Sequence, residues 1–171
     1  VKLLLAGTGL IGHRHMQHIL EHPDLELVGI IDPLITDEKI EGVTTYSSLI
    51  DVNKHADGII LATPTETHAD LTIQSLEMGL HVLVEKPVAA SLLEADKMIL
   101  ASEKTGLSIL VGHHRRHHPL VNETINIIKS GKIGRPVAAS LMWLMRKQDE
   151  YFDVDWRKGI DGGPIKQNLI H

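Results

Sequence analysis

No cysteine occurs among the 171 residues. That absence excludes disulfides, thiolate metal centres and a cysteine nucleophile. No apolar run reaches the roughly 20 residues that a membrane-spanning helix needs. The first residues also lack the basic stretch, apolar segment and cleavage site of a secretory signal, so a cytoplasmic location is expected. Nor is there an excess of positive charge: 17 Lys and Arg stand against 22 Asp and Glu, a net charge of −5. Neither nucleic acid nor an anionic membrane is therefore an expected partner. Internal repeats and low-complexity tracts are missing too. The remainder, 43% hydrophobic and 23% charged, is ordinary for a globular protein. A chain of this length can bury roughly 70% of its extended surface.

The stretch Lys2-Leu3-Leu4-Leu5-Ala6-Gly7-Thr8-Gly9-Leu10-Ile11-Gly12 organises the rest. An apolar run of strand length stops at a glycine, and two more glycines complete G-x-G-x-x-G as a helical pattern begins. Gly7 permits the tight turn, Gly9 lets a pyrophosphate approach the backbone, and Gly12 allows the helix to pack closely on the strand. The helix N-terminus, with Leu10 and Ile11 in its first turn, then faces the phosphates. A second strand over 25–31 ends in Asp32, twenty residues after Gly12, where an acid for the ribose hydroxyls is expected. A carboxylate there accepts from both hydroxyls and repels a 2′-phosphate, and no Arg or Lys stands beside it. The pattern predicts a dinucleotide site for NAD, with NADP disfavoured.

Strand and helix patterns alternate onwards, which predicts a doubly wound α/β Rossmann sheet of parallel strands. Helices are expected over 11–22, with Ile11, His15, Ile19 and Leu20 on one face, and over 67–78 and 92–105. Ser91 and Glu94 have capping-box spacing, and Gly106 marks the end of the third helix. Residues 36–41 have room for a turn or two of helix, and Ser47 can cap another short one through Val52. Further strands are expected over 43–46, 57–63, 81–84 and 107–111. The character changes at Gly112, so the expected division is a cofactor domain over 1–112 and a second domain over 113–171. The latter reads as a helix over 120–129, a strand over 137–145 and a loop. One strand cannot cover its own faces and edges, so this domain is expected to be incomplete.

Three further clusters carry chemistry. Thr63-Pro64-Thr65 ends a buried strand, where ligands sit in open α/β sheets; Thr65 or Glu66 can equally cap the next helix. Glu85-Lys86-Pro87 places a Lys directly after a strand and before a proline, which holds its backbone extended. An ammonium there can stabilise a developing alkoxide; the plainer alternative is a surface Lys paired with Glu85. The segment 113–118 holds four histidines and two arginines. Its guanidinium groups disfavour a divalent cation, and no carboxylate stands at helpful spacing, so no metal is expected.

With Trp156-Arg157, Gly162-Gly163 and His171 following in order, the sequence resembles the Gfo/Idh/MocA family of NAD(P)-dependent sugar and cyclitol oxidoreductases. The resemblance implies that 113–171 begins an α+β substrate domain built on an open antiparallel sheet. It implies that Thr63, Pro64, Thr65 and His68 line the dinucleotide, although the residues themselves suggest a structural role for His68. Glu85 and Lys86 would lie at the nicotinamide end, Lys86 reaching the substrate hydroxyl. Trp156 and Arg157 would reach back to cofactor or substrate. Arg116, or Arg115 beside it, would contact substrate. His171 would be the base, though Gln167 stands where many relatives carry an orienting Asp. The implied protein is a dehydrogenase acting on a polyhydroxylated small molecule, and a homo-oligomer (dimer or tetramer) at full length. The alternative is a catalytically inactive dinucleotide-binding regulator of the same family.

Overall fold

The apolar run after Val1 becomes the central strand β1 (Lys2–Ala6). Its Leu4, Leu5 and Ala6 are at most 1% exposed although they point alternately to opposite faces, so both faces are covered. The computed structural model describes residues 1–35, 37–140, 142, 144, 146, 148, 149 and 153. The chain divides into two units, 1–112 and 113–171.

In the first unit, α1 (Leu10–Glu21) follows β1 and leads to β2 (Glu26–Ile31). Next come β3 (Lys39–Ile40), β4 (Val43–Tyr46) and β5 (Gly58–Leu61). Then α2 (His68–Glu77), β6 (His81–Val84), α3 (Leu92–Thr105) and β7 (Ile109–Val111) complete the unit. The sheet order is β3-β4-β2-β1-β5-β6-β7. All pairs are parallel except β3 with β4. On one face Met16 and Ile19 of α1 pack with Leu5, Ile30 and Ile60. On the other, Ala69 and Leu76 of α2 and Met98 of α3 pack with Leu4, Ile59, Leu61 and Val82. Strand order and helix side both reverse between β1 and β5, which opens a crevice at the carboxyl ends of these strands.

The doubly wound sheet agrees with the sequence pattern, and the differences are local. The helical turn expected over 36–41 is absent from residues 37–41, and Thr36 lies outside the described residues: Lys39 and Ile40 pair with Thr44 and Val43 in a hairpin. Glu41 and Gly42 both have positive φ, 49° and 79°, the signature of a tight turn whose twist suits antiparallel strands. Ser47 caps nothing; Leu49–Asp51 is a single 3₁₀ turn, and the Ser47 hydroxyl donates to Asp51. The buried stripe of α1 is Gly12, Met16 and Ile19, while Ile11 and Leu20 face outward. The Ser91–Glu94 capping box forms as expected, and Gly106 ends α3 with φ 70°.

In the second unit, α4 (Pro119–Lys129) begins with proline in its first turn, where no N–H is needed. Residues 137–140 carry no strand, contrary to the pattern over 137–145. Trp156, Arg157, Gln167 and His171 lie outside the described residues. Among the described residues no helix is long and apolar enough to cross a membrane.

Candidate functional site

Four segments of the first unit leave the sheet at the carboxyl ends of parallel strands. They are the glycine turn after β1, Asp32 after β2, the Thr63-Pro64-Thr65 turn after β5, and Glu85-Lys86-Pro87 after β6. Parallel pairing of β2, β1, β5 and β6 puts all four on one edge of the sheet.

The glycines have distinct surroundings. Gly7 has φ 90°, and a Cβ there would lie 2.5 Å from the Ala62 carbonyl oxygen. At Gly12 a Cβ would lie 2.0 Å from the Gly7 carbonyl oxygen, so the first turn of α1 rests directly on the loop. Around a Cβ at Gly9 there is nothing within 4 Å. Gly9 also caps α1, with no side-chain bond to that end and no acidic residue in the first turn. An open space in front of an uncapped helix start fits a pyrophosphate. Leu10 and Ile11 expose their side chains there, and their amides belong to that first turn.

Thr8 is spent differently. Its N–H and hydroxyl both donate to Asp32 Oδ2, at 3.0 and 2.6 Å. The Leu34 N–H donates to Oδ1 at 3.0 Å. Partial burial, the largest single influence, raises the pKa of Asp32. The bonds from the Thr8 side chain, Leu34 and the Thr8 backbone together outweigh it, leaving the pKa below the ordinary carboxylate value. Asp32 is thus a fixed anion at the end of β2, suited to accept from ribose hydroxyls and to repel a phosphate.

Thr63 and Thr65 are half-buried and Pro64 is exposed. Neither Thr65 nor Glu66 caps α2; the Thr67 hydroxyl holds the turn, 2.7 Å from Thr63 Oγ1 and 2.8 Å from the Pro64 carbonyl. His68 is 1% exposed, and both ring nitrogens face backbone carbonyls, leaving neither for a ligand.

Lys86 is half-buried, and its peptide bond to Pro87 is cis. Glu85 does not project into open space. Its Oε1 lies 2.9 Å from His15 Nε2 of α1, and its Oε2 accepts from the Lys86 N–H at 3.2 Å. A Cβ at Gly112 would come within 2.8 Å of the same carboxylate. Burial, again the largest influence, raises the pKa of Glu85. Bonds from His15 and Lys86, with the charges of both, carry it below the ordinary value. His15 was not foreseen as a site residue. Its only signal was a titratable side chain beside the apolar stripe of α1, one turn beyond Gly12.

In the second unit, Arg115 and Arg116 lie in an exposed 3₁₀ turn, His114–His117. Among the described residues no group of three or more His, Asp or Glu is placed to hold a metal.

Comparison with known proteins finds that Gfo/Idh/MocA, described as an oxidoreductase family with an NAD-binding Rossmann fold, matches residues 1–113. The uncharacterized oxidoreductase YrbE of Bacillus subtilis (strain 168) is 29% identical over 98% of this chain and 50% of its own length. The scyllo-inositol 2-dehydrogenase (NAD(+)) of the same organism is 30% identical over 80% of this chain and 42% of its own. Among solved structures, the WlbA dehydrogenase from Bordetella pertussis, in complex with NADH and UDP-GlcNAcA, superimposes with a TM-score of 0.74. It is 31% identical and the match covers 79% of this chain and 41% of that one. The chain thus spans about half the length, or less, of the relatives it matches.

Proposed function

Because the chain belongs to the Gfo/Idh/MocA oxidoreductase family and carries its NAD-binding Rossmann fold, we propose that it serves an NAD-dependent dehydrogenase. The reaction is the oxidation of a secondary alcohol on a sugar, cyclitol or related polyol, or the reverse reduction. The observation that carries this reading is the placement of Lys86 on the same sheet edge as Gly9 and Asp32, two strands from the glycine turn.

Bound NAD supplies the hydride acceptor. The residues of this chain do the rest. The first turn of α1 takes the phosphates, and Asp32, held by Thr8 and Leu34, takes the ribose hydroxyls. Thr63, Pro64 and Thr65 line the adjoining edge. Lys86 holds the substrate oxygen and stabilises negative charge as it develops there. His171 removes the hydroxyl proton, its imidazole suited to that task near neutral pH. Arg116 and Arg157 position the substrate, and Trp156 contacts the cofactor. The division into a cofactor domain and the start of a substrate domain belongs to the same reading. So does a cytoplasmic homo-oligomer.

The test is NAD reduction by the purified protein over a panel of cyclitols and sugars, repeated with Lys86→Met. Turnover by the wild type, lost in the variant with NADH affinity changed less than about threefold, is the expected result. Retained turnover in Lys86→Met refutes the role of Lys86. NADH binding without turnover on any polyol refutes the dehydrogenase.

A further inference from the structure

We propose that His68 is a positioning residue for Lys86: its buried ring braces the turn after β5 against the turn after β6. The part played by Lys86 rests on the dehydrogenase reading above, while the brace itself does not.

The pairing of β5 with β6 runs from Gly58 opposite His81 to Leu61 opposite Val84. One further bond, Glu85 N–H to the Leu61 carbonyl at 2.9 Å, extends it. Lys86 and Pro87 lie past that bond, and so do Thr63 and Pro64 on the neighbouring strand. His68 links the two segments where the ladder has ended. Its Nδ1 stands 2.8 Å from the Pro87 carbonyl oxygen, and its Nε2 stands 3.0 Å from the Thr63 carbonyl oxygen. Carbonyl oxygens only accept, so the ring donates: a neutral imidazole makes one of these bonds and the cation makes both.

A role in packing alone does not account for this residue. His68 is 1% exposed at the start of α2. Burying a polar ring is unfavourable unless its nitrogens are bonded, and an apolar side chain would fill the same space without that cost. The imidazole provides a rigid plate with a nitrogen on each of two edges. With a proton on each nitrogen it bonds two backbone carbonyls and so fixes their separation, one of them on the residue immediately after Lys86. From the other side the Glu85 carboxylate accepts from the Lys86 N–H and meets His15. The backbone beneath Lys86 is held at both ends.

The test is amide hydrogen exchange on the cofactor-free full chain, wild type against His68→Leu and His68→Gln. Leucine keeps the bulk and removes both nitrogens, whereas glutamine returns one donor group. Expected for His68→Leu is exchange at least about tenfold faster at residues 85, 86 and 88, with β1 and α3 within about twofold of wild type. His68→Gln should fall between the two, and it carries the test alone where the leucine variant does not fold. In steady state the positioning role predicts a kcat at least about tenfold lower, with the KM for the dinucleotide moved less than about threefold. Unchanged exchange at 85–88 overturns the brace. So does a uniform rise over the whole sheet, which is plain loss of stability. Faster local exchange with kcat unchanged overturns the link to Lys86. A wild type without turnover, in which His68→Leu still loosens 85–88, refutes the dehydrogenase reading and leaves the brace standing.

Discussion

Substituting Gly9 by alanine should separate binding from folding. The added methyl meets nothing within 4 Å, and Gly9 has φ −62° and ψ −173°, backbone that any residue adopts. Two small folding effects oppose each other. Alanine is a poorer N-cap than glycine by roughly 0.5–1 kcal/mol. It also stiffens the unfolded chain, which favours the folded state by about 0.4–1 kcal/mol where the backbone is compatible. The sum is near zero, so Tm should move by no more than about 2–3 °C for a chain of this size. Binding differs, because the open space at Gly9 is where a pyrophosphate must come to reach the amides of α1. A methyl there forces the phosphate back and breaks at least one bond to a charged oxygen, each contributing about 1.5–3 kcal/mol. That loss corresponds to at least about a tenfold weaker Kd. The contrasting change is Gly12→Ala, whose Cβ would lie 2.0 Å from the Gly7 carbonyl oxygen. Alanine ordinarily favours a helix over glycine by about 1 kcal/mol. Here overpacking of about 1–3 kcal/mol or more should outweigh that gain and lower Tm. The assay is NADH fluorescence titration with thermal unfolding on the same three proteins. Gly9→Ala binding NADH within threefold of wild type at unchanged Tm would show that the phosphates lie elsewhere.

Three further outcomes are expected. Asp32→Ser should tighten NADPH relative to NADH by at least about tenfold, since the fixed anion that repels a 2′-phosphate is gone; an unchanged ratio of the two Kd values would refute the selector. Glu85 has a folded-state pKa below its ordinary value of 4.5, so its contribution is whole above about that pH and is lost as pH falls through the folded-state value. The Tm difference between wild type and Glu85→Gln should thus shrink as pH falls below about 4.5; a difference constant into stronger acid would contradict the sign. Ser91→Ala removes the bond from the Glu94 N–H, which should cost about 1 kcal/mol and lower Tm by about 2–4 °C, measured by calorimetry.

The sequence alone determined those features whose cause lies within a few consecutive residues. The glycine turn, the Ser91–Glu94 capping box and the helix stop at Gly106 are of this kind. In each, a backbone conformation or a local bond selects the residue type. Alternating strand and helix patterns determined the doubly wound sheet, because each apolar face had to be buried against the other kind of element. Tertiary structure decided which side chains meet. His15 and Glu85 are 70 positions apart, and Thr8 and Asp32 are 24 apart. They come together only because crossover connections return these parallel strands to the same edge in the order β2-β1-β5-β6. No local pattern encodes that order. The short strand over 39–40 was missed for a related reason: pairing with β4 and the Glu41-Gly42 turn overrode a weak helical pattern. His68 shows both sides of the division. The family resemblance put it along the dinucleotide, while the residues around it suggested a structural role. Only the folded chain brought its ring against the carbonyls of Pro87 and Thr63.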